Sequence, residues 1–264
     1  MNFEDYECLE FRRDARVLTI ALNRPEQRNA VNGRLHLELS RVFVDAQRDT
    51  QSDIVVLTGN GSAFCAGGDI DWMQESVDDP EEFERTAREG KDIVFSQLDL
   101  EKPLICKLNG HATGLGASLA LLCDIILCAE EARIGDPHVS VGLVAGDGGA
   151  FIWPQIVGYA KAKKYLLTGE LMTAAQAERI GLVTEVMPRA ELDAAVDALA
   201  QKLAAGATRA IRWSKVTTNL PLKALFHAHF DAGIAYECLS NRTADHAEAV
   251  KAFREKRKPV FTGH

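Results

Sequence analysis

Residues 109–125, NGHATGLGASLALLCDI, carry the pattern around which the rest of the chain is organised. They begin where the apolar run 104–108 ends, and that run predicts a buried strand. The glycines predict a tight loop after the strand, the apolar residues near 118–122 predict a buried helix, and residues 124–128 predict a further strand. An order of strand, loop, helix and strand is typical of an α/β fold.

The same order recurs upstream of this segment. Residues 15–22 and 54–57 predict strands, and residues 33–47 and 80–98 predict amphipathic helices. After about residue 158 the patterns are helical and broken by Gly and Pro, with one short strand near 182–186. The expected fold class is therefore α/β, with repeated ββα-like units followed by a helical C-terminal region.

Composition excludes several classes of protein. The 264 residues carry a formal net charge of −8, which gives no general attraction for nucleic acid. No apolar run reaches the ~20 residues of a membrane span, and the N-terminal segment lacks the apolar core of a signal peptide. The six cysteines form no CxxC pair, so we expect buried thiols and no zinc site. A cytoplasmic protein without nucleic-acid or membrane partners is expected.

Two glycine loops follow two of the predicted strands, SAFCAGGD at residues 62–69 and NGHATGLG at residues 109–116. Such loops can direct backbone N–H groups at one point, and a following helix adds a partial positive field. Two N–H groups that converge on one oxygen form an oxyanion hole. Each loop alone is explained as well by a tight turn. The glycine patterns of nucleotide and dinucleotide sites are absent, which disfavours an oxidoreductase.

A third glycine-rich segment, IGDPHVSVGLVAGDGGA at residues 134–150, contains two aspartates and one histidine. Aspartate and histidine are residues that transfer protons in enzymes. The segment is therefore a candidate active-site loop.

Taken in order, NRPEQRNAVN, SAFCAGGDI, NGHATGLGASLALLCDI, GDPHVSVGLVAGDGG and AFREKRKPVF resemble the crotonase (enoyl-CoA hydratase/isomerase) superfamily over essentially the whole chain. The resemblance implies a spiral of ββα units with a coenzyme A site over residues 1–200 and a helical trimerisation region over residues 201–264. It also implies a homotrimer or a dimer of trimers. The implied substrate is an acyl-CoA thioester that reacts through an enolate, with coenzyme A as part of the substrate, no permanent cofactor and no metal.

The resemblance places the two oxyanion donors on the backbone N–H groups of Ala66 and Leu115. Hydratases of this family usually have a glycine where Leu115 stands, but an N–H group donates whatever the side chain is. The Leu115 side chain is expected to narrow the acyl pocket. Loss of one such donor typically costs ~3 kcal/mol of transition-state stabilisation.

The two glutamates that these hydratases use are absent, because their positions fall on Ser118 and His138. The hydration mechanism that uses two carboxylates therefore cannot be assigned to this chain. His138 becomes the main candidate for proton transfer, since the unperturbed pKa of histidine is ~6.5, although a loop histidine is more often structural. Ser118 either holds a water or is a small residue that makes room, and we favour the second.

Two aspartates lie near His138. Asp147 is one residue beyond the position of an aspartate found in some isomerase and dehalogenase relatives, and an N-cap role explains it equally well. Asp136 precedes a proline and is interpreted as a turn residue.

The resemblance also implies a path for coenzyme A. Phosphate binding accounts for a cation at Arg28, while for Lys256 a solvated basic tail is nearly as good an explanation. Four large side chains are weaker candidates for the acyl pocket: Trp72, Met73, Phe151 and Trp153. The implied coenzyme A contacts are Arg28, Ala30, Ala63, Phe64 and Ala66, with Phe253 and Lys256 reaching from a neighbouring subunit.

The leading hypothesis is an acyl-CoA enzyme of the enoyl-CoA hydratase/isomerase type. Isomerisation, hydrolysis and decarboxylation use the same oxyanion hole, so the reaction stays open. A non-catalytic acyl-CoA-binding protein is the alternative from another class.

Overall fold

The computed structural model describes residues 3–264, apart from the side chains of Pro80 and Glu82. Within these residues there are ten strands: β1 (Leu9–Asp14), β2 (Val17–Leu22), β3 (Ile54–Gly59), β4 (Ala63–Cys65), β5 (Leu104–Leu108), β6 (His111–Thr113), β7 (Ile125–Ala129), β8 (Arg133–Gly135), β9 (Met172–Thr173) and β10 (Glu185–Met187). The same residues form ten α-helices: α1 (Gly33–Arg48), α2 (Ile70–Asp78), α3 (Pro80–Asp99), α4 (Leu115–Leu121), α5 (Gly149–Val157), α6 (Tyr159–Thr168), α7 (Ala174–Arg179), α8 (Arg189–Ala204), α9 (Thr208–Asn241) and α10 (Ala244–Arg254).

The strands form two sheets. The larger sheet has the order β1-β2-β3-β5-β7-β10, with β1 and β2 antiparallel and the other neighbours parallel. The smaller sheet has the order β4-β6-β8-β9. Successive strand pairs β3/β4, β5/β6 and β7/β8 each place their first strand in the larger sheet and their second in the smaller one. The predicted spiral of ββα units is therefore confirmed.

The larger sheet is covered on both faces. Leu57, Cys106 and Leu108 belong to the main core, while Val56 and Ile105 pack with residues of α8 in a second cluster. Parallel strands covered in this way are expected to be almost wholly apolar, and every residue of β3 is buried. All six cysteines are free and five are buried, as predicted.

The C-terminal region is helical, as predicted, and α9 is its longest element. This helix packs against α3 and α5, while α10 packs against α2. None of the described helices combines the length and hydropathy required to cross a membrane.

Several element boundaries differ from the sequence-based prediction. Strand β1 was not predicted because most of its residues are exposed and charged, which leaves no apolar alternation to detect. Helix α2 was not predicted either, and its first turn is capped by Asp69, whose side chain accepts from the Asp71 N–H. Helix α4 begins at Leu115, three residues before the predicted start.

Candidate active site

Two adjoining cavities lie where the glycine loops meet α9 and α10. The outer cleft has a volume of about 500 Å³ and is lined by residues that include Arg28, Ala30, Ala66, Asp69, Asp71 and Phe253. The inner cavity has a volume of about 80 Å³ and is lined by residues that include Trp72, Leu115, Asp147, Glu237 and Asn241. Gly68, Met73 and His138 line both. His138 therefore stands at the junction between the outer cleft and the inner cavity.

The first glycine loop presents one free backbone donor to the inner cavity. The Ala66 N–H donates to the Arg28 carbonyl at 3.1 Å, and the Asp69 N–H donates to the Val31 carbonyl at 2.9 Å. Between them, the Gly68 N–H has no acceptor among the described residues. The sequence-based choice of Ala66 as an oxyanion donor conflicts with this hydrogen bond, because an N–H group that already has an acceptor is not free for a ligand.

The second glycine loop presents its donor at a helix N-terminus. Gly114 has φ 56°, a conformation that suits glycine and turns the chain from β6 into α4. The first helical hydrogen bond runs from the Ser118 N–H to the Gly114 carbonyl. As the first helical residue, Leu115 has an N–H with no intrahelical acceptor. Its side chain lines the inner cavity, as expected for a residue that narrows an acyl pocket.

A buried cluster of polar and titratable side chains surrounds His138. The His138 Nδ1 is hydrogen-bonded directly to Oδ1 of Asp136, a carboxylate with no exposed surface. The His138 Nε2 lies 3.6 Å from Oδ2 of Asp147. The Ser118 Oγ donates to Oδ1 of Asp147 at 3.3 Å and does not line the inner cavity. Ser118 therefore orients Asp147, a role different from both of those considered from the sequence.

The charges in this cluster change its protonation. Burial lowers the pKa of an imidazole, but the charges of Asp136 and Asp147 outweigh burial here and hold the pKa of His138 well above 6.5. Burial raises the pKa of Asp147, and the charge of His138 opposes part of that rise. The charges consequently favour the imidazolium form of His138, with Asp136 on one ring nitrogen and Asp147 near the other.

The glycines of GDGG explain how the cluster fits. A Cβ atom at position 149 would lie 1.9 Å from Oδ2 of Asp136, so only glycine leaves room for that carboxylate. The Gly149 N–H also donates to the Asp147 side chain at the start of α5. Asp147 lines the inner cavity, and the N-cap residue of α5 is Gly148, one position beyond it. Asp136 does form a turn, since it accepts weakly from the His138 N–H at 3.5 Å, but its contact with the imidazole was not predicted.

Helix α9 contributes a further carboxyl group that the sequence did not indicate. Burial, and next the charge of Asp147, raise the pKa of Glu237 to about 8. The Asp147 N–H donates to this carboxyl group, whose Oε2 is buried without a hydrogen-bond partner. No local pattern marks Glu237, because it lies in an ordinary helical stretch far along the chain from the histidine.

One group in the described residues has a spacing suited to a metal ion: Asp136, His138 and Asp147, whose ligand atoms lie within 4.8 Å of one another. The direct hydrogen bond between His138 Nδ1 and Asp136 places a proton where a shared metal ion would have to sit. The arrangement suits proton transfer better than metal binding.

The predicted coenzyme A contacts divide into two groups. Arg28, Ala30 and Ala66 line the outer cleft. Ala63 and Phe64 are buried in β4 and line neither cavity, because the short strand turns both side chains into the core.

The tail residues also differ from one another. Phe253 is 63% exposed and lines the outer cleft of its own chain, so it does not require a neighbouring subunit to reach that cleft. Lys256 is exposed and does not line the outer cleft.

Only two of the four side chains considered for the acyl pocket line a cavity. Trp72 and Met73 line the inner cavity, as predicted. Phe151 and Trp153 do not, and that prediction is wrong. Phe151 packs against Phe226 in the core with ring centroids 5.7 Å apart, and Trp153 is fully buried. Hydrophobicity alone does not distinguish a core residue from a cavity wall.

Comparison with known proteins explains why the outer cleft, the inner cavity and the spiral of ββα units occur together. The family model of enoyl-CoA hydratase/isomerase matches residues 12–264. The chain belongs to this family. It is 36% identical over 257 residues to a 2,3-dehydroadipyl-CoA hydratase of Escherichia coli, covering 95% of this chain and 97% of that protein.

Solved structures of the enoyl-CoA hydratase/isomerase family have the same fold. An enoyl-CoA hydratase/isomerase from Mycobacterium paratuberculosis superimposes with a TM-score of 0.90 at 35% identity, covering 94% of this chain and 99% of that one. A β-diketone hydrolase from the cyanobacterium Anabaena, bound to (S)-3-oxocyclohexyl acetic acid, superimposes with a TM-score of 0.84 at 32% identity, covering 91% and 96%. The chain is an enzyme of the enoyl-CoA hydratase/isomerase type, and its relatives carry out more than one reaction.

Proposed function

We propose that the chain isomerises a carbon–carbon double bond of an acyl-CoA thioester through an enolate. The observation that carries this proposal is the position of His138, an imidazolium ion between two carboxylates at the junction of the two cavities. A thioester in the outer cleft would present its reacting carbons to this group, while its acyl chain would enter the inner cavity.

The proton steps follow from the groups that face the inner cavity. The thioester oxygen accepts from the N–H groups of Gly68 and Leu115. Asp147 removes the proton from the α carbon of a β,γ-unsaturated acyl group, and the electron pair of that bond delocalises onto the thioester oxygen. His138 then donates its Nε2 proton to the γ carbon, which leaves an α,β-unsaturated product. A proton passes from Asp147 to His138 over their 3.6 Å separation and restores the starting state.

This assignment needs no activated water, which agrees with the absence of both hydratase glutamates. Crotonyl-CoA hydration should therefore be slow or absent. A non-catalytic binding protein is disfavoured, because burying an imidazolium beside two carboxylates serves no purpose in binding alone and carries a desolvation cost.

A second candidate is hydrolysis of a carbon–carbon bond beside a ketone. Arg28 supplies the one Lys or Arg side chain in the described lining of the outer cleft, and Asp69 and Asp71 line the same cleft. This is a weak complement to the phosphates of coenzyme A. The similar Anabaena protein is named a β-diketone hydrolase. In this reaction His138 and Asp147 would activate a water molecule.

One assay separates these candidates. The purified protein is given a β,γ-enoyl-CoA, crotonyl-CoA and a cyclic 1,3-diketone, and products are followed by chromatography. We expect conversion of the first to the conjugated thioester. Cleavage of the diketone without turnover of any thioester would replace the proposal with the second candidate. Hydration of crotonyl-CoA at the rate of two-glutamate hydratases would refute the proton steps given above.

We also propose that the chain assembles as a homotrimer or a dimer of trimers, with residues 201–264 contributing contacts. Large apolar side chains are exposed along α9, including Trp213, Leu220 and Leu239. Exposed apolar patches of this kind mark interaction surfaces. Light scattering at micromolar concentration should give the mass of three or six chains, and the mass of one chain would contradict the assembly.

A further inference from the structure

The rear wall of the inner cavity, formed by Glu237 and Asn241, has polar atoms that find no partner among residues 3–264 as the structure describes them. Glu237 is 6% exposed and Asn241 is 3% exposed. The Glu237 Oε2 and the Asn241 Oδ1 are both buried without a hydrogen-bond partner, and both residues line the inner cavity. They lie four residues apart on α9 and thus on one face of the helix. Two unsatisfied polar atoms on one cavity wall would cost stability unless a ligand or water bonds them.

The two side chains offer opposite hydrogen-bonding capacities. The Asn241 Nδ2 donates to the Ser76 carbonyl at 3.0 Å, which leaves Oδ1 as an acceptor. The raised pKa of Glu237, about 8, keeps its carboxyl group mainly protonated at pH 7. The Asp147 N–H donates to the same carboxyl group, which leaves the Oε2 hydroxyl as a donor. The rear wall therefore presents one donor and one acceptor.

The charge of the lining disfavours an anion. The described lining of the inner cavity contains no Lys or Arg, and its His138 is already flanked by the carboxylates of Asp136 and Asp147. A ketone oxygen would accept from Glu237 and leave the Asn241 acceptor unpaired. A hydroxyl group accepts one hydrogen bond and donates another, so it satisfies both members of the rear wall.

Position and volume limit where this hydroxyl lies in a substrate. His138 lines both cavities, whereas Glu237 and Asn241 line only the inner one, so a group bound by them lies deeper than the carbons at His138. The cavity volume of about 80 Å³ exceeds the ~10–15 Å³ that one water needs, and it admits a short acyl chain.

We propose that the rear wall binds a hydroxyl group of the acyl chain, with Glu237 as donor and Asn241 as acceptor, and so selects short acyl groups hydroxylated beyond the γ carbon. This substrate class rests on the proposed acyl-CoA function. Glu237 and Asn241 act in it as specificity-determining residues.

The test compares 5-hydroxypentanoyl-CoA with pentanoyl-CoA by titration calorimetry. The native protein should bind the hydroxylated ester about tenfold more tightly or better, because the deoxy ester leaves both buried groups unpaired. Asn241→Leu should abolish the preference. Asn219→Leu makes the same change on the same helix at a position that lines neither cavity, and it should keep the preference. Glu237→Gln retains a donor and should keep it, whereas Glu237→Met should lose it.

The outcomes separate this inference from the function on which it rests. Equal affinity of the native protein for the two esters would overturn the inference and show that the rear wall holds only water, while leaving the acyl-CoA function intact. A preference that survives in Asn241→Leu would also overturn it. Binding of neither ester would overturn both the inference and the acyl-CoA function.

Discussion

The two walls of the inner cavity are built from different parts of the protein. The backbone wall consists of the N–H groups of Gly68 and Leu115, which follow strands of the smaller sheet. The side-chain wall consists of His138 and Asp147 from one loop, with Glu237 from α9, and Asp136 lies behind His138. The backbone wall contributes main-chain N–H groups, whereas the side-chain wall contributes titratable side chains.

This difference shows which part of the active site can change without loss of the fold. A backbone donor depends on the path of the chain, so a leucine can supply it as well as a glycine. A proton-transfer group depends on its side chain, its burial and its neighbours, and each of these can change in one substitution. In the proposed function, the backbone wall stabilises the enolate and the side-chain wall determines which reaction follows.

The largest effect is expected from removing the imidazole of the side-chain wall. His138→Ala should lower kcat by about 10²–10⁴-fold, because a positioned acid or base typically contributes that much. Steady-state kinetics on the active substrate measure this change, and circular dichroism checks the fold. His111→Ala serves as the control, since His111 is exposed on β6 and lines neither cavity. A His138→Ala enzyme with native kcat would show that the side-chain wall is only a scaffold.

A somewhat smaller effect is expected at the backbone wall. Leu115 is the first residue of α4, where proline is well tolerated, so Leu115→Pro removes an N–H with little cost to the helix. We expect kcat to fall by about 10²–10³-fold, as for the loss of one oxyanion donor. Leu115→Ala keeps the N–H and should retain most of kcat. If Leu115→Pro and Leu115→Ala lowered kcat equally, the effect would come from the leucine side chain and not from the N–H group.

The smallest effect at neutral pH is expected from Asp136→Asn. The charge of Asp136 helps to raise the pKa of His138, so its removal lowers that pKa. The imidazolium form exists below this pKa, and activity that needs it is lost as the pH rises through it. The alkaline limb of the kcat/KM profile should thus move to lower pH. An unmoved limb would mean that His138 does not donate the proton.

Sequence patterns predicted the parts of the site that lie close together along the chain. His138 and Asp147 occur in one glycine-rich loop, and Leu115 follows a strand in another, so each could be recognised locally. Ala66 was chosen over Gly68 because the sequence does not show which N–H group of the loop is already bonded. That choice depends on the Arg28 carbonyl, which reaches the loop from a separate turn of the chain.

By itself, the sequence determined the fold class and the family, because apolar periodicity and short motifs are local properties. Only the tertiary structure decided that Asp136 bonds to His138, that α9 brings Glu237 and Asn241 to the inner cavity, and that Phe253 lines the cleft of its own chain. The reason is physical. A pKa and a free hydrogen-bonding group depend on burial and on neighbours within a few ångströms, and here those neighbours come from elements far apart in the chain.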